Sequence, residues 1–238
     1  MSVDPSVFTS RLVRVPEAVL GAVRPYWGDL PLDPYLEDGS RSRRLTRFRV
    51  DGETLVPLPA EPVSQSKRYN PDVGGLPRSF VPLDADLVAQ PEFHQLARAF
   101  LEALPLDPEG RILWVHQIRV TCEVAGGRPT PEGIHRDERE YLGILVVEIE
   151  GLACGATRLY PAMDAPPCYE AVLEQGDLLV FRDEVLFHST DAFSDVTGAP
   201  GHRDTILFAL TKDPSDGTPR ATPPARVPPR RRSPGRPI

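Results

Sequence analysis

The stretch QGDLLVFRDEVLFHST, residues 175–190, reads as two short strands with the turns that bound them. Gln175-Gly176-Asp177 is a turn signal, residues 178–182 are a strand-sized apolar run, and residues 185–190 are a second run that carries His188. The same texture repeats outward. Residues 111–124, 142–150, 157–160, 169–174 and 203–211 are short, rich in Val, Ile, Leu, Phe and Tyr, and separated by turns such as Ala125-Gly126-Gly127. So many short strands within about a hundred residues point to a mainly β fold with flanking helices. The expected architecture is a double-stranded β-helix, the cupin-like jelly roll.

The N-terminal part, residues 1–110, reads as helical and irregular. Residues 16–27 suit a short helix, and residues 91–104 a longer one. In the second, Pro91 fits the first turn, and Phe93, Ala97, Phe100, Leu101 and Leu104 trace an apolar stripe. Residues 50–87 are rich in proline and glycine yet carry Tyr69, Leu76 and Phe80, which suggests a long structured loop or hairpin. Residues 1–212 are therefore expected to form one domain with its jelly-roll core at 111–212. Residues 213–238, Pro/Arg-rich and nearly devoid of apolar side chains, are expected to be a disordered tail.

Composition narrows the functional classes. The net charge of −7 divides into +4 from residue 213 onward and −11 before it. An acidic body argues against nucleic acid as the partner. No apolar run approaches the roughly 20 residues of a membrane-spanning helix, and the N-terminus lacks the pattern of a secretory signal. A cytoplasmic protein with no membrane partner is expected. Cys122, Cys154 and Cys168 are an odd count without a CxxC pair, so buried reduced thiols are expected rather than disulfides or a thiolate metal site.

Chemistry enters at His135-Arg136-Asp137. In an extended triplet, residues two apart face one side, so the imidazole and the carboxylate converge while Arg136 points away. His188 is suitably placed to add a third ligand from another strand. Two histidines and one carboxylate form a facial set that leaves three adjacent metal positions open, a set suited to iron(II). His202-Arg203-Asp204 is a second triplet of the same form. Arg203 shares a strand face with Thr205, Leu207 and Ala209. If that face is inward, the guanidinium needs an anion, and a dicarboxylic cosubstrate would supply one through two parallel hydrogen bonds. Pairing with Asp204 or a surface acid is the alternative.

PTPEGIHRDEREYLGI (129–144), GDLLVFRDEVLFHS (176–189) and GHRDTILFAL (201–210) together resemble bacterial iron(II)/2-oxoglutarate dioxygenases that hydroxylate free amino acids, the L-isoleucine 4-hydroxylase group. YNPDVGGLPRSF (69–80) and HQIRV (116–120) extend the resemblance over roughly residues 60–211. It implies His135, Asp137 and His188 as ligands of Fe(II), and Arg203 as the clamp on 2-oxoglutarate. It further implies O2 as oxidant and decarboxylation of 2-oxoglutarate to succinate. Related halogenases lack the carboxylate at the position of Asp137, so its presence favours hydroxylation or desaturation. Many relatives carry a glycine where this chain has Glu138, and a more acidic run where it has FRDEVLF. Both departures are expected near the substrate entrance.

A small-molecule amino-acid substrate needs a cation for its carboxylate and an acceptor for its ammonium. Arg119 and Gln117 share a polar face of one strand, which would line a polar pocket or, alternatively, face solvent at an edge. Arg78, with Gln65, Tyr69 and Asn70 near it in sequence, is a second candidate, and Glu138 is a candidate ammonium partner. His116 suits a sheet face, His202 solvent, and His94 the helix. Two competing classes remain: a cupin-type metal enzyme not using 2-oxoglutarate, and a jelly-roll binding module without catalysis.

Overall fold

A computed structural model describes residues 9–69, 74–122 and 127–213. The expected tail, apart from its first residue, lies outside the described residues, as do Asn70 and the first two residues of the Ala125-Gly126-Gly127 turn.

The fold is a mainly β jelly roll. Its elements in chain order are β1 (Ser10–Arg14), α1 (Glu17–Val23), β2 (Arg41–Asp51), β3 (Thr54–Leu58), α2 (Ala85–Val88), α3 (Pro91–Glu102), β4 (Ile112–Cys122), β5 (Tyr141–Glu150), β6 (Leu152–Ala153), β7 (Thr157–Tyr160), β8 (Tyr169–Ala171), β9 (Asp177–Phe181), β10 (Phe187–Thr190), β11 (Ser194–Asp195) and β12 (Gly201–Thr211). Seven strands form an antiparallel sheet in the order β1-β9-β5-β12-β4-β2-β3. The facing layer is β10-β7-β8, and β11-β6 make a small pair.

The N-terminal part is not simply helical and irregular. β1, β2 and β3 all join the large sheet, and β2 pairs with β4 from Arg41↔Val120 to Arg49↔Ile112. The expected helix at 16–27 is shorter: α1 gives way to a 3-10 turn over Arg24–Trp27, because Pro25 has no amide proton for a helical bond. The 50–87 segment opens as the β2–β3 hairpin, whose turn is at Gly52 with φ 56°. It closes through a bridge between Val63 and Arg78.

Period-2 alternation divides the large sheet into two faces. On one, Leu113, Val115, Leu145, Val180, Ile206, Phe208 and Leu210 pack against Leu20, Trp27, Phe93, Leu96 and Phe100 of the helical layer. Phe100 of α3 stacks on Phe208 at 5.2 Å, and it fits only because Gly143 lies beneath it. A Cβ at that glycine would come within 2.5 Å of the Phe100 ring. On the other face, Leu45, Trp114, Leu142, Val146, Leu179, Phe181 and Ala209 pack toward Leu159 and Leu186 between the two layers. Burying one such side chain contributes about 1.5–3 kcal/mol. The apolar filling of this inner face stops short of Arg203, Thr205, Ile118 and Val120, which line a cleft. Among the described residues no disulfide forms, and only Cys122 is buried; Cys154 is half-buried and Cys168 exposed, contrary to the expectation of three buried thiols. Among the described residues, no helix is long and apolar enough to cross a membrane.

Candidate metal centre

His135 and His188 are brought together by backbone pairing. The His135 amide donates to the His188 carbonyl at 3.0 Å, and the His188 amide returns the bond at 2.9 Å. The two rings lie with centroids 4.1 Å apart. Two residues on, Asp137 points to the same side, with Oδ1 3.8 Å from His135 Nε2. Arg136 points away; its Nε donates to the Leu186 carbonyl at 3.2 Å and its guanidinium covers the Phe187 ring. One ligand atom from each of His135, Asp137 and His188 lies within 4.8 Å of the others, so the three could hold a metal ion.

The protonation states suit a cation. Burial pushes the His188 imidazole down to about 3, with His135 adding to the effect, so the ring is neutral and offers a lone pair. Burial also raises the Asp137 carboxyl, but His135, His188, Arg139 and Arg43 outweigh it and hold that group below the usual carboxylate range. His135 Nδ1 faces the Gly133 carbonyl at 3.0 Å, which fixes the ring and leaves Nε2 toward Asp137.

Sequence reading missed Asp183. It is fully buried, accepts from the amides of Asp137 (3.3 Å) and Arg139 (2.8 Å), and lies 3.7 Å from His188 Nδ1. Burial and the neighbouring Asp137 push its carboxyl up to about 7. FRDEVLF therefore contributes a carboxylate behind the cluster rather than at an entrance. The expected departure at Glu138 has a backbone counterpart: its φ is 59°, the conformation that favours glycine, and its Oε2 accepts from the Ser66 amide at 2.5 Å.

The cluster opens into a cleft shared by Arg41, Arg43, Arg78, Arg203, Gln65 and Glu132. Arg203 is 3% exposed, and among the described residues its Nε and Nη2 have no hydrogen-bond partner. The alternative pairing with Asp204 is ruled out, because Asp204 faces the helical layer. There it receives Arg119 Nε at 2.7 Å and Nη2 at 2.6 Å. Arg119 and Gln117 consequently do not line the cleft. Gln117 Nε2 donates to the Tyr26 carbonyl at 2.9 Å, so the donors on this face of β4 meet Asp204 of β12 and the 3-10 turn rather than the cleft.

Arg78 does line the cleft. Its Nη2 donates to Gln65 Oε1 at 2.6 Å, and Gln65 Nε2 donates to Asp137 Oδ1 at 2.5 Å. Tyr69 and Glu138 lie outside it, on a separate surface depression with Arg136 and Arg139. Tyr69 packs against Phe187 there, with ring centroids 5.9 Å apart. His116 is buried on the inner sheet face and accepts at Nδ1 from Arg43. His94 is on α3, as expected. His202 does not simply meet solvent; it is half-buried, 3.4 Å from Glu148 and 3.7 Å from Asp204. Glu148, Glu150 and His202 also lie close enough to hold a cation, but on the surface and away from the cleft.

Two histidines and a carboxylate on a jelly roll, beside a buried arginine, are a donor set that fits the iron- and 2-oxo-acid-dependent oxygenase class. The family model described as 2OG-Fe dioxygenase matches residues 24–209, and the chain belongs to that family. The family uses Fe(II), 2-oxoglutarate and O2. Among solved structures, a bsmA homolog from Methylobium petroleophilum PM1 is similar at 22% identity and TM-score 0.72, over 89% of this chain and 94% of that one. IDO from Bacillus thuringiensis follows at 15% identity and TM-score 0.67, over 85% and 94%. The Fe(II)/(alpha)ketoglutarate-dependent dioxygenase TqaL is similar at 15% identity and TM-score 0.63, over 86% and 83%. At these identities the likeness shows the fold. No curated protein sequence matches the chain.

Proposed function

We propose that this chain hydroxylates an unactivated C–H bond of a free amino acid or an amino-acid-derived small molecule. One oxygen atom of O2 enters the substrate C–H bond as hydroxyl; the other enters succinate as 2-oxoglutarate loses CO2. The observation that carries the reading is Arg203: a buried guanidinium with unpartnered N–H groups, in the same cleft as His135, Asp137 and His188. A buried cation in that state costs several kcal/mol unless an anion arrives.

His135, Asp137 and His188 would hold the iron, and Arg203 would grip the distal carboxylate of 2-oxoglutarate. When bound, that pair supplies O2 activation coupled to decarboxylation. The remaining residues position the substrate. Arg78 reaches toward Asp137 through Gln65 and would take the substrate carboxylate, while Glu132 lines the same cleft as an acceptor for the ammonium. Ile118, Val120, Ile144, Phe193 and Leu207 give the cleft an apolar lining that limits water around the reacting bond.

Anaerobic addition of Fe(II) and 2-oxoglutarate should give the weak visible charge-transfer band of a chelated 2-oxo acid. Succinate release should then rise with some member of a panel of amino acids, cyclic imino acids and dipeptides. A protein that shows no band and binds 2-oxoglutarate no better with iron than without is a different kind of metalloprotein or a binding module. A band with no response across the panel removes the amino-acid part of the reading.

A further inference from the structure

Arg41 and Arg43 are on β2, and Arg78 is opposite Val63 in the adjoining loop; they are 8%, 7% and 6% exposed. Among the described residues none of the three makes an ion pair. Arg41 Nη2 donates to the Pro129 carbonyl at 2.6 Å, Arg78 Nη2 to Gln65, and Arg43 to neutral His116 while lying over the Phe80 ring at 4.5 Å. Among the described residues the Nε atoms of Arg41 and Arg78 have no hydrogen-bond partner. The three act on one another: Arg41 and Arg78 each depress Arg43, which burial has already pushed down to about 9, and Arg41 depresses Arg78. Arg203 lies across β4 from them, with Val120 pairing with Arg41 on one side and with Arg203 on the other. The cleft thus has two separate cationic stations, one at Arg203 and one at Arg41, Arg43 and Arg78.

The nearby acids do not balance the second station. Asp137 belongs to the metal cluster. Glu132 lines the cleft, and Asp33 acts on Arg43 and Arg78 without lining it, its Oδ1 taken by the Tyr35 amide. Three guanidiniums against these two carboxylates leave one positive charge over, and a zwitterionic amino acid with a neutral side chain would not compensate it. We propose that the substrate carries a second anionic group besides its α-carboxylate, and that Arg41, Arg43 and Arg78 select an acidic, dicarboxylic amino acid over its neutral isostere. The inference rests on the amino-acid hydroxylase reading above and adds the charge class of the substrate.

The test uses the whole chain loaded anaerobically with Fe(II) and 2-oxoglutarate, so the charge-transfer band first reports on the underlying reading. Aspartate, glutamate and 2-aminoadipate are then titrated against asparagine, glutamine and leucine, following displacement of the band and, separately, heat of binding. At least one acidic member should bind tenfold or more tighter than its neutral counterpart, and Arg41→Gln or Arg43→Gln should cut that preference by a similar factor. Glutarate or adipate binding as tightly as the amino acids would keep the second anionic station and remove the ammonium site. A normal band with neutral amino acids bound as well as or better than acidic ones overturns the inference while leaving the oxygenase reading intact.

Discussion

The Asp183 carboxylate lies 3.7 Å from Nδ1 of His188 while receiving the backbone amides of Asp137 and Arg139. One buried group thus holds the backbone of one candidate ligand and faces the ring of another. The gap to the ring is too long for a hydrogen bond, and His188 Nδ1 has no hydrogen-bond partner among the described residues, so Asp183 acts on that ring by charge and on Asp137 through its amide. Asp183→Asn keeps the volume but turns one acceptor into a donor against an amide. Iron affinity should fall about 10- to 100-fold, with the far-ultraviolet spectrum unchanged. Iron titration by competition with a chromophoric chelator reads it directly; an unchanged affinity would make Asp183 a backbone clip only.

Arg203 makes two opposite predictions for one substitution. If Arg203 grips 2-oxoglutarate as proposed, Arg203→Met removes charge-assisted bonds worth about 1.5–3 kcal/mol, so KM for 2-oxoglutarate should rise about 10- to 100-fold. The ligand-free protein should melt no lower than the wild type, because the arginine lost is buried with Nε and Nη2 unbonded among the described residues and only the Phe193 ring beside it, 5.4 Å away. A large loss of thermal stability without ligand would show that Arg203 serves the fold instead.

Arg78 and Arg119 part company in the structure, and their methionine variants should do the same. Arg78→Met should raise KM for the substrate, since Arg78 lines the cleft. Arg119→Met should leave it unchanged. It strands the fully buried Asp204 carboxylate without its two donors, at a cost of about 3 kcal/mol in chemical denaturation. Steady-state kinetics and urea melts on both variants separate the roles; a raised substrate KM in Arg119→Met would return Arg119 to the site.

Much of the cluster was legible because its signal is local. Period-2 geometry aims His135 and Asp137 together whatever surrounds them, and Arg203 stands at the head of an alternating strand. β2 was not legible for the same physical reason that makes it interesting. Its inward positions Arg41 and Arg43 face a cleft rather than a core, so RSRRLTRFRVD lacks apolar alternation. Phe48 and Val50 ahead of the Asp51-Gly52 turn are the signal that was available. Arg119 and Gln117 meet neither a ligand nor open solvent, because Asp204 takes the Arg119 guanidinium and the Tyr26 carbonyl the Gln117 amide on the face toward the helical layer, which the alternation of β4 does not reveal. Asp183 sits among Arg182 and Glu184 and reads as one more surface charge until the fold buries it.

His116 gives the pH dependence of stability a defined direction. Burial, then the neighbouring Arg43, pushes its imidazole well below its usual 6.5. The unfolded chain therefore takes up a proton below about pH 6.5 that the folded chain refuses. Because the unfolded state binds more protons there, stability rises with pH up to about 6.5 and falls on acidification below it. The contribution approaches about 1.4 kcal/mol per pH unit once the unfolded histidine is fully charged. His188, held down to about 3, adds a slope of the same sign in metal-free protein, so the informative quantity is the difference between wild type and variant. His116→Gln can still accept from Arg43 through its amide oxygen and cannot titrate. Urea melts between pH 5 and pH 8 should show a shallower acid slope in the variant, with the two curves parallel above pH 7. Equal slopes below pH 6 would mean that His116 takes its proton in the folded protein, and that Arg43 moves away to allow it.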